Sequence, residues 1–275
     1  MKIDSEINIL LHQQYNPEGS VLRLAQYRMV EMLEWFDDIC TKNNLKYWMD
    51  AGTLLGAVRH EGFIPWDDDV DVCMMRADAE KLHRILLDKN VNSGYILQNH
   101  DNDPWYLMFW DKIRDLKSKN NASSYIQDRL IYKGLAIDIF PIDEGNVQCF
   151  SNSITWMFKH FVLYPFFENN GFWNHLSFMA RPFRFLIKTM LIPVAHLLSW
   201  HRSNGVLSYS YGVPFKDIHT KDVVFPLRRI PFEGLLLLAP NNPEQYLVQK
   251  FGERWRDLPS ESLRGGHSIE LEIFD

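Results

Sequence analysis

Residues 64–72, IPWDDDVDV, place Asp67, Asp68, Asp69 and Asp71 between Ile64 and Val72. Carboxylates this close repel one another unless a cation lies among them. Side chains alternate along a strand, so Asp69 and Asp71 are expected on one face. A hard divalent cation, Mg2+ or Mn2+, is the usual partner of such an oxygen pair. The plain alternative is an acidic surface turn. Apolar residues bracket the cluster on both sides, which sets it against a core and favours a site. A calcium loop fails: with Asp67 in first place, Val72 stands where glycine is required and Asp78 where the bidentate glutamate belongs.

Three further groups carry chemistry. In GTLLG, Gly52 and Thr53 offer a small residue and a hydroxyl where backbone N–H groups can approach a phosphate. The stretch is neither a P-loop nor a dinucleotide fingerprint, and a GT pair alone is often only a turn. Asp138 lies inside the apolar run LAIDIFPID. Burying it is costly unless it is paired, so it is either a third metal ligand or a cap on neighbouring backbone. Asp143 is expected as a turn or cap residue. Arg59 and His60 follow the GT pair, and Lys112 and Arg114 stand in FWDKIRD. Alternation puts Lys112 and Arg114 on one face, where they can neutralise a pyrophosphate. Surface ion pairs with Asp111 and Asp115 are the competing assignment.

These residues need elements to hold them. Ser20–Lys42 has apolar residues at three- and four-residue spacing and a capping serine, which predicts a long amphipathic helix. A short strand over Lys46–Asp50 precedes a glycine-punctuated turn and short helix in AGTLLGAVRHEG. Asp69–Met75 is expected as a strand with one face buried, and Ala77–Lys89 as a helix. Tyr95–Gln98, Tyr106–Ile113 and Leu135–Phe140 are strand candidates, the last closed by Pro141. Asn242–Phe251 is expected to be helical. Strands and helices mix without a regular βαβ rhythm, so the fold class is α+β (mixed α/β) with a helical insertion.

The chain has 275 residues, 46% apolar and 14% aromatic, ample for a sizeable core. A net charge of -6 argues against a non-specific nucleic-acid binder. Cys40, Cys73 and Cys149 are far apart and form no CxxC pair, which suits a reducing compartment. The first twenty residues are too polar for a signal peptide. Phe183–Trp200 carries Arg184, Lys188, Pro193 and His196, so it makes a poor spanning helix. The expected location is the cytoplasm, with room for peripheral contact on the inner face of a membrane.

YWMDAGTLLGAVRHEGFIPWDDDVDVCM closely resembles the signature of the LicD family, which includes the fukutin-related proteins. The resemblance continues at DKIRD and GLAIDIFPID and resumes in HTKDVVFPLRRIPFEGLLLLAPNNPEQYLVQKFGERWRDLP and the GGH that follows. It covers about residues 28–145 and 217–267, and its motif is long and specific. It implies a single catalytic domain over residues 1–275, with a nucleotidyltransferase-like sheet flanked by helices. It also implies that Gly52 and Thr53 hold donor phosphate and that Asp69, Asp71 and Asp138 are catalytic and bind the metal. Asp67 then supports the site from the acceptor side, with His60 nearby. Lys112, Arg114 and Arg59 are expected to steady phosphate oxygens. The implied reaction moves phosphocholine or a similar substituted phosphate from a CDP-linked donor to a sugar hydroxyl of a cell-surface glycan or its lipid-linked precursor. A nucleotidyltransferase acting on a sugar and a non-catalytic glycan- or nucleotide-binding protein are the alternatives.

Residues 150–215 lie outside the resemblance. Arg181, Arg184 and Lys188 fall on one helical face there, and Phe183, Ile187, Met190, Leu191 and Val194 on the other. Either this helix lies on a membrane, or it packs on the domain core with its cations in water.

Overall fold

The structure, a computed structural model, describes residues 3–87, 94–120, 127–145, 156–157, 160, 180–199, 205–213, 215–265 and 271–274. Cys149, Lys89 and most of the segment 150–215 lie outside them. Helix α1 (Ser5–Tyr15) and helix α2 (Val21–Lys42) come first, then strand β1 (Tyr47–Met49) and helix α3 (Ala51–His60). Strand β2 (Val70–Met75), helix α4 (Arg76–Leu86), and strands β3 (Tyr95–Gln98), β4 (Asp111–Asp115), β5 (Ser118–Asn120) and β6 (Ala136–Glu144) follow. The helical run α5 (180–199) contains a π-turn over Ile187–Leu191. After it come β7 (Val206–Tyr209), β8 (Ile218–Thr220), α6 (Lys221–Val224), β9 (Arg228–Phe232), β10 (Leu235–Ala239), α7 (Pro243–Phe251) and β11 (Leu271–Ile273).

The main sheet runs β1-β2-β6-β4-β3, with β7 also paired to β6 and β8 to β7. Among the described residues of this sheet, only β2 and β6 pair in parallel; the other neighbours are antiparallel. The fold is α+β. Ser20 caps α2 by accepting from the Arg23 N–H at 3.2 Å. The buried side of α2, including Met29, Met32, Leu33 and Phe36, enters one core with the central strands. Each such side chain contributes about 1.5–3 kcal/mol on burial. This core anchors the strand ends that carry the acids.

Several boundaries differ from expectation for physical reasons. Strand β2 opens at Val70 and is buried on both faces through Met74, because it is central and helices cover it. Asp69 therefore stands just ahead of the ladder instead of inside a half-buried strand. Strand β6 does not stop at Pro141: it continues to Glu144, since a proline carbonyl can still accept, here from the Ser210 N–H at 3.0 Å. Asp143 is consequently a strand residue, and it takes a two-pronged ion pair from Arg76 at 2.7 Å to each oxygen. Tyr106–Trp110 is not strand; β4 begins at Asp111.

Helix α5 is turned opposite to the core-packed expectation. Arg184 is buried and donates to the Leu107 and Met108 carbonyls at 3.1 and 3.3 Å. Ile187 and Ala195 are buried with it, whereas Phe185, Met190, Val194, Leu197 and Leu198 are exposed. No helix among the described residues is long and apolar enough to cross a membrane.

Candidate functional site

Parallel pairing of β2 with β6 sets Asp71 directly beside Asp138, and antiparallel pairing of β6 with β4 sets Lys112 on the other side of Asp138. Residues paired across a ladder share a face, so the three side chains form a row. Lys112 Nζ lies 2.6 Å from Asp138 Oδ1 and donates to Oδ2 at 2.9 Å.

Asp67, Asp68 and Asp69 enter the row from the loop before β2. Helix α1, unread in the sequence, contributes Leu11 to a small cluster with Ile64 and Trp66 that fixes this loop. The Asp67 N–H closes a turn onto the Ile64 carbonyl at 2.9 Å, and Gln26 on α2 donates to the Asp67 carbonyl at 2.9 Å.

The charges are frustrated. Burial pushes the Asp71 carboxyl well above the ordinary range, and Asp69, Asp138, Asp50 and Asp67 push it further. Burial, then the charges of Asp69 and Asp68, raises Asp67 in the same way. Asp69 has open water on one side but is crowded by protein on the other. Lost hydration and the charges of Asp138 and Asp68 raise it, and Lys112 works against them. Asp68 thus adds charge to the cluster.

Asp67 Oδ2 and Asp138 Oδ1 are buried without a hydrogen bond, the second served by Lys112 through charge alone. Among the described residues, no three His, Cys, Asp or Glu side chains converge closely enough, as placed, to enclose an ion. Lys112 occupies the partner position on Asp138. The donor chemistry still fits a hard cation: only carboxylate oxygens, crowded together and short of positive charge.

Gly52 and Thr53 form the first turn of α3, so the expected turn is a helix N-terminus, where the helix leaves N–H groups without internal partners. A Cβ on Gly52 would sit 2.5 Å from Asp67 Oδ2, so only glycine allows that carboxylate against the helix start. Thr53 Oγ1 accepts from the Asp71 N–H at 2.9 Å. Its hydroxyl ties the helix to the strand, a task different from the phosphate contact expected of it.

The other cations make no hydrogen bond to the acid row, although the charge of Asp67 reaches Arg59 and that of Asp138 reaches Arg114. Arg59 and His60 sit at the far end of α3 and are buried. Arg59 donates to His60 Nε2 at 2.9 Å and to the Trp255 and Asp257 carbonyls at 3.5 and 3.4 Å. Burial lowers its pKa to about 10, although the Asp67 charge opposes this. Burial and then Arg59 hold His60 down to about 3, so it is neutral. Both staple α3 to its surroundings through these bonds. Arg114 shares the Lys112 face, yet it is spent on Gln98 Oε1 at 2.7 Å and the Gly134 carbonyl at 2.6 Å. Asp111 and Asp115 pair with His83 and Arg28, leaving Lys112 for Asp138.

Sequence reasoning missed the support beneath α3. Asp50 stands at the N-cap position of α3 without a side-chain capping bond, is fully buried and accepts from Tyr209, from Tyr246 at 2.9 Å and from Lys250 at 3.4 Å. Lys250 also binds Asp217 at 3.0 Å and the Tyr209 hydroxyl at 2.6 Å. The Asp50 N–H bonds the Asp71 carbonyl at 3.0 Å, so this network reaches the acid row through one residue. The signal was an aspartate squeezed between an apolar strand and the glycine turn in YWMDAGT. A cavity of about 610 Å³, lined by Arg76, His83, Asp111, Arg184 and Lys188 among others, is separate from the row, since Asp111 alternates to the opposite face from Lys112.

Residues 44–162 match the family described as LicD/FKTN/FKRP, nucleotidyltransferase domain. The chain is 43% identical to the lipopolysaccharide cholinephosphotransferase LicD of Haemophilus influenzae, over 92% of this chain and 98% of that protein. It is 23% identical to the human ribitol 5-phosphate transferase FKRP over 76% of this chain and 28% of that protein. An uncharacterized protein of Rickettsia prowazekii is 48% identical over 58 residues. The chain spans only 22% of the length of that protein and of its Rickettsia typhi counterpart.

Proposed function

This chain belongs to the LicD family, and on that premise we propose that it is a transferase of substituted phosphates. It moves phosphocholine or a similar group from a CDP-linked donor to a sugar hydroxyl of a glycan or its lipid-linked precursor. The observation that carries this reading is the row Asp71, Asp138 and Lys112, flanked by Asp69 and Asp67. Likeness to a lipopolysaccharide cholinephosphotransferase supports phosphocholine, and likeness to a ribitol 5-phosphate transferase supports a polyol phosphate.

Asp69, Asp71 and Asp138 would hold Mg2+ or Mn2+, whose charge would offset that of the donor pyrophosphate. N–H groups in the first turn of α3, beside Gly52, would receive phosphate oxygens, and Lys112 would add a cation. The sugar oxygen forms the new P–O bond as the bond to the leaving CMP breaks. The hydroxyl proton passes to Asp138.

A screen of CDP-choline, CDP-ethanolamine, CDP-glycerol and CDP-ribitol for CMP release, with and without Mg2+, tests the reading. Asp71→Ala is expected to abolish release while remaining folded. Full turnover by that variant overturns the assignment. Pyrophosphate release from CTP would instead mark a nucleotidyltransferase.

A further inference from the structure

We propose that α5 lies on the surface of an anionic membrane, its apolar face in the acyl boundary and its cations at headgroup level. This inference stands apart from the transferase reading. Phe185, Leu186, Met190, Val194, Leu197 and Leu198 are all exposed, and nothing among the described residues covers them. Soluble surfaces rarely leave a contiguous apolar strip of this kind open. The opposite side is anchored: Arg184 clasps the carbonyls of residues 107 and 108, and Ile187 and Ala195 are buried. The outward orientation of the strip is therefore fixed by hydrogen bonds.

Charge selects the occupant. Residues 180–199 contain no aspartate or glutamate, while Arg181, beside the Trp105 ring, and Lys188, at the rim of the cavity, are exposed two turns apart. Long cationic side chains flanking an apolar strip can rise to phosphate level while the strip enters the lipid. A second copy of α5 would bring its cations against like cations, since the helix itself carries no acid. A bilayer with acidic headgroups supplies the missing negative charge. No helix among the described residues is long and apolar enough to span a membrane.

Vesicle flotation of the full chain tests this. The protein is expected to float with vesicles of phosphatidylcholine plus phosphatidylglycerol, less with phosphatidylcholine alone, and less again at high salt. Phe185→Ser/Met190→Ser/Leu197→Ser should lower partitioning at least about tenfold. These side chains are exposed, so the thermal unfolding midpoint should hold. Arg181→Glu/Lys188→Glu should remove the preference for anionic vesicles. Wild-type protein that stays at the bottom with anionic vesicles overturns the proposal, as do variants that float like wild type. A dimer in sedimentation that the serine variant dissolves would assign the face to a second copy and overturn it too.

Discussion

Replacing Lys250 by methionine keeps the length and apolar stem of the side chain but removes its charge. Asp50 then stays fully buried with neutral partners alone, among them the Tyr209 and Tyr246 hydroxyls and the Ala51 N–H. Stripping one partner from a buried ion pair costs about 3–5 kcal/mol, because the remaining charge is neither solvated nor compensated. For a chain this long that lowers Tm by roughly 6–10 °C. In the wild type, the Lys250 charge and the tyrosine bonds outweigh burial and hold Asp50 below its ordinary range. That pair thus stabilises the fold above about pH 4 and is lost as pH falls through the lower folded value. Without Lys250, burial dominates and raises Asp50. The deficit of Lys250→Met should therefore be full above the raised Asp50 value of the variant, shrink as pH falls through that value, and vanish below the lowered wild-type value. Urea denaturation across pH measures it, with Asp50→Asn/Lys250→Met as the companion. The double variant removes both charges and should be more stable than Lys250→Met alone. A loss under about 1 kcal/mol at neutral pH, or simple additivity in the double variant, would refute the reasoning.

Other outcomes follow from the same geometry. Asp71→Asn relieves repulsion in the acid row, so without divalent metal it should raise stability by about 0.5–2 kcal/mol in urea melts while donor turnover disappears. Equal or lower stability would contradict the frustrated-charge account. Asp68→Ala should keep most activity in the CMP-release assay, since Asp68 adds charge to the cluster without a place in the row. Gly56→Ala would put a Cβ 2.4 Å from the Gly62 carbonyl oxygen, backbone that cannot swing aside. It should cost about 1–3 kcal/mol in thermal melts, and an unchanged midpoint would show that α3 can move.

The sequence disclosed what depends on near neighbours. Helix α2 was legible because Ser20 caps it and its apolar spacing follows the helical repeat. Asp71 and Asp138 were legible because an acid inside an apolar run demands a partner. What topology decides stayed hidden. Lys112 and Arg114 share a face and both feel the Asp138 charge, yet the sheet order gives only Lys112 a hydrogen bond to it and gives Arg114 a glutamine and a carbonyl. Arg59 looked like a phosphate ligand from its nearness to GT, but its hydrogen bonds go to His60 and to the Trp255 and Asp257 carbonyls, and it meets the acids only through the charge of Asp67. The Asp50–Lys250 pair joins opposite ends of the chain, and no local pattern encodes it. Helix α5 defied periodicity because backbone carbonyls at residues 107 and 108 made burying Arg184 tolerable.

The parallel β2–β6 pairing also bears on when the site comes into being. Parallel strands cannot meet through a hairpin; a long intervening chain must close first. Such non-local pairings are slow to form, since loop-closure entropy is lost before contacts reward it. Until β6 docks, Asp71 and Asp138 are solvated and indifferent to each other. Their repulsion enters only at the closing event, so it acts mainly on the escape from the native state. Relieving it with Asp71→Asn should slow unfolding and leave the refolding rate nearly unchanged. The acid row is in this sense a clock for the fold: its electrostatic tension registers that the last strand has arrived.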